Sequence, residues 1–196
     1  MFKVVRGLSL GLLASLLLLG NGQAETYTID AVHSTVDFTI RHLVSRSSGR
    51  FDDFSGTVTY DAAHPEKTSA EATIQVGSIN TGNEKRDGHL KNPDFFDAET
   101  YPTITFKSTS AKKEGDTILL MGEFTMHGTT HSVTLPVTVL GVGAHPRNKA
   151  PMAGFESEIV LKRSDYGVNN WTDATGVLGD EVKVRITLET AGPKPE

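Results

Sequence analysis

The strongest constraint on this chain is a repeat of two. From Ser34 to His42, the residues Val36, Phe38 and Ile40 fall on one side and Thr35, Asp37, Thr39 and Arg41 on the other. Thr130 to Leu140 repeats this, with Val133, Leu135, Val137 and Val139 alternating with Ser132, Thr134, Pro136 and Thr138. Glu181 to Glu189 does so again through Val182, Val184, Ile186 and Leu188. A side-chain period of two belongs to strands with one face buried, and it is the mark of antiparallel sheet. Comparable runs lie at 54–60, 70–79, 103–108, 117–126 and 154–161, rich in Thr, Val, Ile and Phe, which favour strands. About eight antiparallel strands follow. A β-sandwich and a closed barrel both satisfy the alternation. Lys113-Glu114-Gly115-Asp116 and His127-Gly128-Thr129 read as hairpin turns, and Pro136 suggests a sheet edge or a bulge.

The N-terminus has a different character. Lys3 and Arg6 precede an apolar run that includes Leu16 to Leu19, and Gly22 and Ala24 place small residues where signal peptidase cuts. The run is short for a bilayer span, which needs about 20 apolar residues. Residues 1–24 are therefore expected to be a secretory signal cleaved after Ala24, and the chain a soluble exported protein. Residues 25–190 are expected to form one domain and residues 191–196 a flexible tail.

Charge and composition exclude several classes. Lys3 and Arg6 are two of 19 basic side chains, and all 24 acidic ones lie beyond them, so the segment from Glu25 onward carries a net charge of −7. An acidic chain of this kind is not expected to bind nucleic acid, which needs a basic face. There is no cysteine, so disulfides, thiolate metal sites and a cysteine nucleophile are excluded.

Two long connections interrupt the strands. In the first, from Thr81 to Pro102, Asn83 is placed to cap a short helix from Glu84 to Leu90, with Pro93 beyond it. Gly88 costs such a helix about 1 kcal/mol relative to alanine, so tertiary contacts must hold it. Phe95 and Phe96 follow. The second connection, from Arg163 to Gly179, carries Tyr166 and the only tryptophan, Trp171. Long loops bearing large apolar side chains serve as pocket rims, or else plug the end of a barrel.

Catalytic chemistry is weakly signalled. His127 and His131 have the spacing of a helical zinc pair, but Gly128-Thr129-Thr130 between them reads as a turn. Ser34 follows His33 and Ser132 follows His131, yet neighbours in a strand point to opposite faces. Neither a G-x-S-x-G elbow nor a P-loop is present. No catalytic residues and no metal site are expected. A histidine-based metalloprotein or hydrolase using His33, His42, His127 or His131 is the competing class. Arg86-Asp87 and Arg163 are candidate polar groups at the rim of an apolar cavity.

The motifs taken together resemble the YceI-like family of bacterial exported proteins. Asp30-Ala31-Val32-His33-Ser34, Arg41-His42-Leu43 and Gly49-Arg50-Phe51-Asp52-Asp53-Phe54 open the resemblance. Its middle is Ile79-Asn80-Thr81-Gly82-Asn83, Arg86-Asp87-Gly88-His89-Leu90, Phe95-Phe96-Asp97 and Tyr101-Pro102-Thr103-Ile104-Thr105-Phe106. Gly122-Glu123-Phe124-Thr125-Met126-His127-Gly128 and Leu161-Lys162-Arg163-Ser164-Asp165-Tyr166-Gly167 complete it.

The resemblance implies an all-β, eight-stranded antiparallel lipocalin-like barrel, with the short helix in a long loop. It further implies a periplasmic location and an elongated apolar pocket for a polyisoprenoid or other amphiphilic lipid, such as an isoprenoid quinone. Carriage, storage and sequestration are the roles it suggests. No cofactor is implied beyond that ligand; a homodimer and a transient inner-membrane partner are among the implied associations. On this reading Val36, Phe38, Ile40, Ile104, Phe106, Val133, Leu135, Val184 and Ile186 form the wall. Phe95, Phe96 and Trp171 close the pocket, and Arg86, Asp87 or Arg163 meets the head group. The alternative to a filled pocket is a barrel plugged by its own side chains that acts as an interaction module.

Overall fold

The structure is a computed structural model and describes residues 24–171 and 177–194. The expected signal segment, Ala24 apart, lies outside the described residues, as do Pro195 and Glu196. The strands are β1 (Glu25–Ile29), β2 (Thr35–His42), β3 (Ser45–Phe51), β4 (Phe54–Tyr60), β5 (Ser69–Gln75) and β6 (Ile79–Asn80). They continue with β7 (Thr103–Glu114), β8 (Thr117–Met126), β9 (Thr129–Ala144), β10 (Pro151–Lys162) and β11 (Leu178–Ala191). One short helix, α1 (Glu84–Leu90), lies between β6 and β7.

These segments make one closed antiparallel barrel of eight strands. The ring runs β1-β4-β5-β7-β8-β9-β10-β11 and is shut by the pairing of β1 with β11, where Thr28 meets Ala191 and Ile29 meets Thr190. Closure leaves no open edge around the ring and so decides between barrel and sandwich. The remaining strands lengthen the wall. Beyond β1, β2 continues along the same edge of β11, from Thr35 opposite Thr187 to His42 opposite Leu178. It then turns at Leu43-Val44 into β3, which pairs with β6 through Arg50–Asn80 and Phe51–Ile79.

Local sequence explains the joints. His127 and Gly128, at φ 51° and 72°, form the two-residue turn between β8 and β9. Two positive φ values are what a type I′ hairpin needs to match strand twist. Pro136 sits opposite Leu119 of β8, one residue past the end of the β9–β10 ladder at Val137–Ser157. On that side it has no ladder hydrogen bond to donate, so proline is tolerated. A register shift at Gly154/Phe155 leaves Leu140 as the extra residue of β9. Asn83 caps α1 by accepting the Arg86 N–H at 3.0 Å.

Strands β9, β10 and β11 extend past the alternating runs that announce them. Ala191, expected as the first residue of a tail, is the last of β11, and the Gly192 N–H donates to the Pro151 carbonyl at 2.8 Å.

The two faces differ in chemistry. Lys183–Glu158 at 2.7 Å, Arg185–Glu156 at 3.1 Å and Lys107–Glu71 at 2.7 Å are exposed ion pairs between neighbouring strands. The other parity of β11, Val182, Val184, Ile186 and Leu188, faces inward. A barrel that is apolar within and charged without is the reverse of a membrane-spanning porin.

Candidate functional site

The barrel encloses an elongated cavity of about 570 Å³, within the range of small-molecule sites. Along β10 and into the turn that follows it, the lining runs from Phe155 to Arg163. Eight residue steps at about 3.3 Å span roughly 26 Å of strand, or roughly 20 Å along the barrel axis at a tilt near 40°. The space is therefore long and narrow.

Its floor is aromatic: Phe155 packs edge-on against Tyr60 at 5.6 Å, with Tyr27 buried in the same cluster. Burial, reinforced by the neighbouring Glu25 carboxylate, pushes the Tyr27 phenol up to about 12. A cavity of this size remains beside that cluster, so the barrel is not filled throughout by its own side chains.

The structure brings the expected wall residues together. Val36, Phe38 and Ile40 from β2, Ile104 and Phe106 from β7, and Val133 and Leu135 from β9 all line the cavity, with Val184 and Ile186 from β11. Unanticipated lining residues include Phe51, Leu120, Phe124, Val137, Phe155 and Leu188. Leu120 and Phe124 share one parity of β8 and were readable from the same period of two.

Aromatic side chains gather at the other end. Phe95 is buried, and its ring lies 5.0 Å from His89 and 5.7 Å from Trp171, in edge-on contacts. His89 also meets Trp171 at 5.7 Å and pairs its Nε2 with the Asp94 carboxylate at 2.8 Å. Phe96 meets Phe51 at 6.2 Å, and Phe51 meets Phe38 at 5.7 Å. Phe95, Phe96, His89 and Trp171 all line the cavity, and Trp171 remains 47% exposed. This end, bounded also by His42 and Arg46 beside the β2–β3 turn, is the mouth.

The three expected rim groups have separate positions. Arg86 lines the cavity, donating from Nε to the Thr81 hydroxyl at 2.7 Å and from Nη2 to the Thr81 carbonyl at 2.8 Å. Asp87 is not among the lining residues. Its carboxylate accepts the Thr81 N–H at 2.9 Å and the Thr81 hydroxyl, so it fastens the start of α1.

Arg163 is not at an open rim but buried, at 5% exposure. Its Nε donates to the Gly179 carbonyl at 2.9 Å, and Nη1 donates to the carbonyls of Val168 and Asn170 at 2.7 and 2.8 Å. A planar fork satisfies three carbonyls of one loop, a geometry that lysine lacks. Burial lowers the Arg163 pKa and the Asp180 charge opposes this. Arg163 therefore clamps the loop that carries Trp171.

Histidines serve the same loop. His127 Nδ1 lies 3.2 Å from the Tyr166 carbonyl and His131 Nε2 lies 3.0 Å from the Asp165 carbonyl. Each imidazole holds a backbone carbonyl of the 3-10 turn Arg163–Tyr166. The two thus act as clamps from the β8–β9 hairpin onto that turn.

Among the described residues, one group has ligand atoms at metal-binding separation: Asp30, His33 and Glu189, within 4.8 Å of one another. None of the three lines the cavity, and His33 Nδ1 already pairs with Asp30 at 2.9 Å.

Two buried polar atoms have no protein partner among the described residues, the Ser157 hydroxyl and Arg163 Nη2. Both residues border the cavity.

Comparisons agree with this architecture. The YceI-like domain pattern matches residues 27–190. Protein YceI of Salmonella arizonae is 38% identical over 181 residues, covering 90% of this chain and 93% of its own length. The same figures hold for Protein YceI of Salmonella newport. Among solved structures, BcnA of Burkholderia cenocepacia is 30% identical with a TM-score of 0.75, covering 82% of this chain and 98% of its own. The YCEI protein of Campylobacter jejuni is 28% identical with a TM-score of 0.69, covering 79% and 90%. A polyisoprenoid binding domain from Saccharophagus degradans shares the fold at 20% identity, with a TM-score of 0.65 and coverage of 87% and 100%.

Proposed function

The chain belongs to the YceI-like family, and on that premise we propose that it is an exported periplasmic binding protein. It encloses the tail of a polyisoprenoid or similar amphiphilic lipid, with an isoprenoid quinone as the leading ligand class. Carriage, storage or sequestration is its task, and no chemical step is required of it. The observation that carries the reading is the deep apolar cavity inside the barrel, walled by Val36, Phe38, Ile104, Phe106 and Val184.

Each five-carbon isoprene unit moved from water into such a wall contributes about 3–4 kcal/mol, at about 0.8 kcal/mol per methylene-sized group, before the cost of ordering the chain. A few units suffice for stable retention. The head group then sits at the mouth, near Arg86 and Trp171. The Saccharophagus domain, described as polyisoprenoid binding, supports the reading through a likeness of fold alone. Export rests on the character of residues 1–24.

The test is retention. Phe38→Glu combined with Phe106→Glu places two carboxylates against the tail. Loss of bound isoprenoid, with the strand signal in circular dichroism kept, supports the reading. Undiminished retention in the folded double variant contradicts the wall assignment.

A further inference from the structure

The mouth of the barrel carries a feature that retention alone does not use. The β2–β3 turn projects Leu43 and Val44, which are 53% and 103% exposed. Trp171 is half exposed at the same end, and the Leu43 N–H donates to the Val177 carbonyl at 2.8 Å, joining the turn to the second long loop. Large apolar side chains in so exposed a place oppose solubility unless something covers them.

The charge pattern says what covers them. The tip sequence Arg41-His42-Leu43-Val44-Ser45-Arg46 has two arginines and no acid, in a chain whose net charge is −5. Arg41 and Arg46 face each other across the hairpin. At this end Asp87 is engaged by Thr81, Asp94 by His89, and Asp180 by Ser164 through its N–H and hydroxyl at 3.0 and 2.8 Å. An apolar tip flanked by arginines on an acidic protein matches an anionic bilayer surface, where the apolar residues enter the acyl boundary and the guanidinium groups meet lipid phosphates.

We propose that Leu43, Val44 and Trp171, flanked by Arg41 and Arg46, dock the barrel mouth-first on an anionic phospholipid bilayer. This deepens the lipid-binding reading and rests on it, since a lipid tail could then pass between bilayer and cavity without crossing water.

Trp171 is the only tryptophan, so its fluorescence reports the mouth directly. Protein purified without detergent is mixed with vesicles of phosphatidylglycerol, and with phosphatidylcholine vesicles as the neutral control. None contains isoprenoid. The expected result is co-sedimentation with the phosphatidylglycerol vesicles and a blue shift of Trp171 emission, both weakened by salt. Leu43→Asp with Val44→Asp should reduce the bound fraction at least tenfold. Aspartate tolerates the left-handed backbone at Leu43, φ 49°, so the turn is kept. Val142→Asp, at the opposite end near the β9–β10 pair Gly143–Met152, should bind like the parent.

No binding to phosphatidylglycerol, or equal binding by the tip variant, overturns the proposal. So does a Trp171 shift that grows with protein concentration without vesicles, which would assign the tip to self-association. Isoprenoid content is measured separately on the same preparations. A protein that docks but never holds isoprenoid contradicts the retention reading alone, and one that holds isoprenoid but never docks contradicts this one alone.

Discussion

Gly49 lies directly opposite Phe38 in the β2–β3 ladder, and a Cβ on Gly49 would stand 2.5 Å from Phe38 Cζ. The ring therefore occupies the space that any other residue at 49 would claim. A broad aromatic wall fits inside a barrel of eight strands because the neighbouring strand offers hydrogen in place of a side chain. Gly122, which pairs with Ser108 in the β7–β8 ladder, leaves room in a similar way for the Phe106 ring, from which a Cβ would fall 2.6 Å.

Gly49→Ala is predicted to force Phe38 off its rotamer and destabilise the protein by about 1–3 kcal/mol, the usual cost of overpacking. Thr81 Cγ2 at 2.8 Å and the Asn80 carbonyl at 3.0 Å block a retreat on the other side. Urea unfolding measures the stability loss. Isoprenoid retention, measured alongside, should fall with it because the displaced ring enters the cavity.

Arg163→Met is predicted to cost about 3 kcal/mol, because it leaves the Gly179, Val168 and Asn170 carbonyls without their donor. Arg163→Lys should recover less than half of this, since one ammonium cannot reproduce the fork. Hydrogen exchange supplies the local readout: amides of residues 163–171 should lose protection in both variants while β7 and β8 keep theirs.

Ser157→Ala is predicted to be neutral or to stabilise the lipid-free protein by about 1 kcal/mol. The Ser157 hydroxyl is buried and has no protein partner among the described residues, so its removal relieves a desolvation cost. Thermal unfolding of lipid-free protein tests this; a loss above 1 kcal/mol would mean that the hydroxyl is satisfied in solution.

Stability should depend on pH through Asp30 and His33. Hydrogen bonding and charge from Asp30 raise the His33 pKa above its ordinary 6.5, and hydrogen bonding from His33 lowers the Asp30 carboxyl below 3.8. The raised imidazole contributes stability that is fully present below pH 6.5 and lost as pH rises through its folded pKa. The depressed carboxyl contributes stability present above pH 3.8 and lost as pH falls through its own folded pKa. The pair thus favours the fold most between these two values. The effect is small because both groups meet solvent. His33→Ala should flatten the dependence of the thermal midpoint between pH 6 and 8.

What was legible in the sequence follows from which strands keep a clean alternation. The segments around Val36, Val133 and Val184 were readable because one parity is apolar throughout. Ser45–Phe51 was not recognised as a strand, and the reason is physical. Its cavity-side positions pair Ser47 with Ile40 and Gly49 with Phe38, so small residues stand where an apolar repeat would have shown. The short β1 was hidden next to the expected cleavage site. In the loops, Arg163 and Arg86 were recognisable as unusual cations, but sequence does not show which carbonyls a folded loop will turn toward them. Arg163 and Asp87 consequently proved to be fasteners of loop and helix, and His127 and His131 likewise.

The central claim is that the cavity holds an isoprenoid chain. The most direct measurement is mass spectrometry of an organic extract from protein purified from bacterial cells without detergent. A near-stoichiometric polyprenyl quinone, phenol or related lipid, absent from the Phe38→Glu, Phe106→Glu variant, is the predicted result. Repeated preparations that contain no such lipid, and that take up none when offered candidate isoprenoids, would contradict it.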